Sequence, residues 1–215
     1  AGQLTQVQIA GRSGVPDDAL AVVINVTAIR PSQGGYITVF PCDVKQPNAS
    51  TLNYSTGQVV ANGATIRLGA KGDICILNNR ATDLAIDVTG YHPAASSFVG
   101  VTPARVFESR FGLATVDGKQ NGVGFFPDQP VAVQIAGRAG VPDNAPAVVV
   151  NVTAIRPAGN GFITVFPCDV SQPNASTLNY AIGQVVANGA NIKLDRDGRI
   201  CVYADRGMDL AVDVN

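Results

Sequence analysis

Leu20-Ala21-Val22-Val23-Ile24-Asn25-Val26-Thr27-Ala28-Ile29, closed by Arg30-Pro31, is the stretch that decides the fold. In an extended chain Val22, Ile24, Val26 and Ala28 point one way. Val23, Asn25, Thr27 and Ile29 point the other, which gives one dry face and one mixed face. Branched side chains dominate, and they suit a pleated surface better than a helix. The stretch also occurs twice. Asn25–Pro31 returns as Asn151-Val152-Thr153-Ala154-Ile155-Arg156-Pro157, and Gln8-Ile9-Ala10-Gly11-Arg12 returns as Gln134-Ile135-Ala136-Gly137-Arg138. Cys42 and Cys75 return as Cys168 and Cys201, both offset by 126 residues. From Gln8–Val88 to Gln134–Val214 the match needs no gap, and roughly seven positions in ten are identical.

Outward from this stretch, short apolar runs closed by Gly, Pro, Asn and Asp predict strands near 6–10, 20–29, 36–40, 51–54, 65–68, 74–77 and 84–89. Gln33-Gly34-Gly35 and Ala158-Gly159-Asn160-Gly161 read as hairpin turns, as do Ala70-Lys71-Gly72-Asp73 and Asp195-Arg196-Asp197-Gly198. About seven short strands per copy predict an all-β chain of two tandem disulfide-containing β-sandwich-like repeats, with a barrel as the lesser possibility. The expected repeats are 1–93 and 94–215, joined at Pro93-Ala94-Ala95-Ser96-Ser97. The second copy carries an opening segment, 98–126, that the first copy lacks. The first copy is then either short of a strand or cut from a longer array.

The chain has 215 residues with a formal net charge of −1, and charged residues make up 14 %, against about 25 % in ordinary soluble domains. No charge excess points to nucleic acid or a membrane surface, and no apolar run approaches the roughly 20 residues of a membrane helix. Neither nucleic-acid binding nor membrane insertion is expected. Four cysteines permit three pairings. The economical one is Cys42–Cys75 and Cys168–Cys201, one bridge per copy, with free thiols and zinc as the rival readings. Bridges imply an oxidising compartment and a secreted or cell-surface protein.

Candidate chemistry is thin. The single histidine, His92, has no counterpart in the second copy, so a nucleophile and base pair is not expected. Asp83 with Asp87, and Asp209 with Asp213, could form a glycosidase pair. The plainer reading is carboxylates bonded to backbone N–H groups or paired with Arg30 or Arg12, and alternation turns Asp87 inward beside Ile86 and Val88. Asp195–Gly198 matches only the opening of a calcium loop and reads better as a turn. No cofactor and no metal are expected. Pro47-Asn48-Ala49-Ser50-Thr51-Leu52-Asn53-Tyr54 recurs at 173–180, and Val60-Ala61-Asn62-Gly63 recurs at 186–189. Asn48, Asn53, Tyr54, Asn62, Asn174, Asn179, Tyr180 and Asn188 are therefore the candidate ligand residues. They would either line a sugar groove or form buried polar ladders between sheets.

The order of several pieces resembles the repeat modules of secreted actinobacterial multidomain proteins, found beside cell-wall amidases and proteases. The pieces are Pro103-Ala104-Arg105-Val106-Phe107-Glu108-Ser109-Arg110, Asn151-Val152-Thr153, Gly161-Phe162-Ile163-Thr164-Val165-Phe166-Pro167-Cys168 and Cys201-Val202-Tyr203. In such modules Asp-Thr-Arg usually stands where this chain has Glu108-Ser109-Arg110, and Gly-Tyr-Phe where it has Gly90-Tyr91-His92. The resemblance implies an extracellular, non-catalytic accessory role and carries over no ligand site. The expectation is a structural or adhesive module that associates with itself or with neighbouring repeats, as in a stalk, surface layer or filament. The alternative is a carbohydrate-binding module.

Overall fold

Ala21–Ile29, the heart of the deciding stretch, is the central strand of its sheet, and Val22, Ile24, Val26 and Ala28 are almost wholly buried. This computed structural model describes residues 2–215, with Gln3 through its backbone alone. All regular structure among the described residues is strand, and two compact units divide at Pro103/Ala104.

The first unit holds β1 (Gln3–Gln8), β2 (Ala21–Ile29), β3 (Gly35–Pro41), β4 (Leu52–Tyr54), β5 (Val59–Arg67), β6 (Asp73–Asn78) and β7 (Asp83–His92). One sheet runs β1-β6-β3-β4, and the other runs β5-β2-β7. Ile37, Val39, Ile74 and Ile76 of the first sheet share one core with Ile24, Val26 and Ile66 of the second. Two sheets with a dry space between them make the sandwich.

The second unit repeats this plan with β9 (Val131–Gln134), β10 (Ala147–Ile155), β11 (Gly161–Pro167), β12 (Leu178–Tyr180), β13 (Val185–Lys193), β14 (Arg199–Ala204) and β15 (Asp209–Val214). An extra strand, β8 (Ala104–Glu108), comes from the opening segment and lies antiparallel along β15. The sheets run β12-β11-β14-β9 and β13-β10-β15-β8.

The four expected hairpins are not hairpins. β2 and β3 belong to different sheets, as do β5 and β6, β10 and β11, and β13 and β14. Each Gly-rich turn instead carries the chain across the sandwich. At Arg30 and Arg156 the backbone takes φ of 46° and 50°, and a proline follows each, so the strand stops and the chain leaves its sheet. In the first unit only β3 to β4 stays within one layer. β5 also starts earlier than expected, at Val59, because Asn62 and Gly63 are ladder residues opposite Val26 and Asn25, not a loop.

Both disulfides join the expected pairs, Cys42–Cys75 and Cys168–Cys201, and none of the cysteines is free. Cys75 lies opposite Phe40, next to the end of β3, so the bridge pins two neighbouring strands of one sheet.

Candidate functional site

The repeated polar stretch begins as a loop that must return along β3 without a full ladder of its own, so its side chains supply the missing bonds. The Thr38 hydroxyl donates to the Ala49 carbonyl (2.7 Å), and the Val39 N–H donates to the Thr51 hydroxyl (2.9 Å). Asn62 reaches from β5 in the opposite sheet and donates its amide to the Thr51 carbonyl (2.7 Å). The second unit repeats this with Thr164 to Ala175, Val165 to Thr177, and Asn188 to Thr177 (2.6, 3.0 and 2.7 Å). Asn53 and Asn179 donate to Ser50 and Ser176 (3.0 and 3.2 Å). Asn62 and Asn188 thus act as ties between sheets, the polar-ladder alternative.

Tyr54 and Tyr180 are not exposed platforms for a sugar ring. Both are buried. The Tyr54 hydroxyl donates to Asn78 Oδ1 (2.6 Å), and that of Tyr180 to Asp205 Oδ1 (2.9 Å). The same Asp205 oxygen accepts the Phe162 N–H (2.9 Å), and it lies so close to Gly161 that a Cβ there would displace it. Burial first, then the hydrogen bond to Asp205, pushes the Tyr180 hydroxyl well above the usual tyrosine range. A raised folded-state pKa favours folding below the unfolded value near 10 and loses that contribution as pH climbs past it. Comparing urea unfolding of the wild type with Tyr180→Phe between pH 8 and 12 should therefore show a wild-type advantage that shrinks above about pH 10. An advantage constant across the range would contradict this.

Asn48 and Asn174 remain at the surface. Asn174 and Asn179, with Phe162, Gln172, Pro173 and Ser176, line an open depression of about 490 Å³. Phe162, which the sequence reading did not select, supplies its aromatic surface and lies 6.0 Å from the Tyr203 ring. Its counterpart in the first copy, Tyr36, aligns by the same offset, and that was the available signal.

The densest cluster of charges was also missed. Arg105 on β8 sends Nε and Nη2 to the two carboxylate oxygens of Asp213 (2.8 and 3.1 Å), and Nη1 to Glu108 (2.8 Å). Arg110 clasps Glu108 with Nε and Nη2, both at 2.8 Å. Glu108 and Asp213 are wholly buried. Burial alone would raise the pKa of Glu108, but hydrogen bonds from Arg110 and the charge of Arg105 outweigh it and hold the carboxyl ionised. Beside it the Arg138 guanidinium takes both oxygens of Asp117 (2.8 and 2.7 Å) and holds that carboxyl far below its usual range. The sequence signal was an arginine and a glutamate three residues apart inside an apolar strand.

The carboxylate pairs fall out differently from expectation. Asp213 pairs with Arg105, not with the counterpart of Arg30 or Arg12, and Asp209 accepts from Ser109 (3.1 Å). Asp87 is exposed and not turned inward. Asp195 caps its own turn by accepting the N–H groups of Asp197 and Arg199 (2.9 and 2.7 Å), and no metal-binding group of acids, histidines or cysteines occurs among the described residues. His92 stacks on Phe98 with ring centroids 4.3 Å apart. Compared with known proteins, the chain matches no family model, no curated protein and no solved structure.

Proposed function

We propose that this chain is a non-enzymatic, secreted structural or adhesive module that works by associating with neighbouring repeats. The observation that carries this reading is the internal use of the repeated polar residues. Thr38, Thr51, Tyr54 and Asn62, and their second-copy counterparts, tie strands and sheets together instead of converging on an open cleft. What remains outside is largely neutral and carries exposed apolar side chains, among them Phe111 at 97 %, Ile182 at 66 % and Phe126 at 64 % exposure. Such faces favour packing against other modules. The two disulfides fit an oxidising, extracellular setting. Sedimentation velocity and negative-stain microscopy at rising protein concentration should show growing assemblies. Dispersed monomers at the highest concentration would overturn the reading.

The depression beside Phe162 favours carbohydrate binding as a second reading, since it combines an aromatic edge with the amides of Asn174 and Asn179. Binding on a glycan array that Phe162→Ala abolishes would support it, and an array without signal would remove it.

A further inference from the structure

The edge strand β7 and the covered strand β15 carry nearly the same residues: Asp83-Leu84-Ala85-Ile86-Asp87-Val88 against Asp209-Leu210-Ala211-Val212-Asp213-Val214. Their surroundings differ. In the second unit β8 lies along β15, and Leu210, Val212 and Val214 are wholly buried. In the first unit β7 has β2 on one side and, among the described residues, no strand on the other; Leu84 and Ile86 are half-buried, and Val88 is 39 % exposed.

The polar groups differ in the same way. Asp213 holds the fork of Arg105, while Asp87 has no ion-pair partner among the described residues. Ser109 donates to Asp209 and accepts the Leu210 N–H (2.8 Å), whereas among the described residues no hydroxyl donates to the Asp83 carboxylate, and that of Thr82 goes to the Asp83 backbone carbonyl (3.2 Å). Arg138 is buried against Asp117, whereas its counterpart Arg12 is exposed, its guanidinium donating to the Gln8 carbonyl (3.2 Å) and, among the described residues, to no carboxylate. Three separated positions on the first unit therefore present the receiving half of contacts that the second unit completes with one segment, 103–121.

We infer that the β7 edge is an acceptor for an extended segment with the chemistry of residues 103–121, which would add to the sheet as β8 does, its arginine on Asp87 and its phenylalanine opposite Ile86. The mode is strand addition, in which backbone hydrogen bonds supply affinity and alternate side chains supply register. The occupant belongs to a neighbouring repeat and is not the 103–121 segment of the same copy, which already covers β15. Moving that segment to β7 of a second copy would strip β15 and leave Asp213 buried without its arginine, so exchange between copies gains no pairing. This inference rests on the reading of the chain as a module that joins neighbouring repeats.

The test uses a fluorescein-labelled synthetic peptide spanning residues 102–122, titrated into the full chain and followed by anisotropy. Saturable one-to-one binding is expected. Asp87→Arg, at an exposed position, should weaken it at least about tenfold, in keeping with loss of a paired charge at an interface. A peptide carrying Arg105→Glu should bind the wild type poorly and recover on the Asp87→Arg chain. No binding, or binding indifferent to Asp87→Arg, would overturn the proposal. So would a dimer formed by exchange of the chain's own 103–121 that excess peptide leaves intact. Assemblies seen in micrographs without peptide binding would sink this edge alone, while the absence of both would sink the module reading with it.

Discussion

Arg105→Ala is expected to lower the stability of the second unit by about 3–5 kcal/mol, among the largest effects available to a single substitution in this chain. Arg105 grips both carboxylate oxygens of the buried Asp213, and it shares Glu108 with Arg110. Truncating it strands Asp213 in a site without water access and leaves Glu108 with one guanidinium in place of two. A buried charge deprived of its partner is far costlier than a surface pair, whose loss typically matters by less than about 1 kcal/mol. Arg105→Lys should fall between, because an ammonium keeps the charge but cannot grip both oxygens of Asp213 as the planar fork does. The informative contrast is a triple replacement, Arg105→Met with Glu108→Leu and Asp213→Leu. Removing all three charges together should cost little, since the desolvation they require disappears with them. Urea unfolding followed by far-ultraviolet circular dichroism measures all of these. A single variant indistinguishable from the wild type would show the cluster to be energetically idle.

The second large effect belongs to the bridges. Cys42→Ser with Cys75→Ser opens a loop whose ends are 33 residues apart in sequence. On the chain-entropy relation such a loop restrains the unfolded state by about 3–4 kcal/mol. For a domain near 100 residues each kcal/mol shifts the midpoint by roughly 4–8 °C, so Tm should fall by more than about 10 °C. The Cys168–Cys201 pair spans the same separation and should behave alike. The bridge joins strands already held by the Phe40–Cys75 register, so the reduced unit should keep its strand order and lose only its margin of stability. Differential scanning calorimetry with and without reductant checks both halves of this statement. An unchanged midpoint after complete reduction would refute it.

Much of this architecture was legible in the residues. Alternation in 20–29 placed Val22, Ile24, Val26 and Ala28 inside, and the constant offset between cysteines gave the pairing. Layer assignment was not legible. A Gly-rich turn of two to four residues reads the same whether it folds a chain back beside itself or lifts it to the opposite sheet, because the difference lies in which long-range ladder receives the next strand. The early start of β5 was not legible for a related reason: Asn62 and Gly63 interrupt the apolar run, yet Gly63 sits in the ladder opposite Asn25 with open space where a Cβ would be. The ligand candidates divided along the same line. Sequence could mark Tyr54 and Tyr180 as recurring, but only the fold shows their hydroxyls engaged by Asn78 and Asp205. Arg105 and Glu108 stand three residues apart and were open to notice, but the bond from Arg105 to Asp213 spans more than one hundred positions, which no local pattern records.

The repeated crossing from layer to layer has a kinetic corollary. Because every step between successive strands of a unit except β3 to β4 and β11 to β12 crosses to the other sheet, no run of three neighbouring strands can fold as a self-sufficient hairpin stack, and most stabilising contacts wait for distant chain to arrive. Chains of this kind fold slowly, on the order of milliseconds to seconds, and stay open to mispairing meanwhile. Two adjacent copies so alike sharpen that hazard, since β2 can find the partner meant for β10 before its own. A sulfur bridge formed early within each copy would keep the two searches apart.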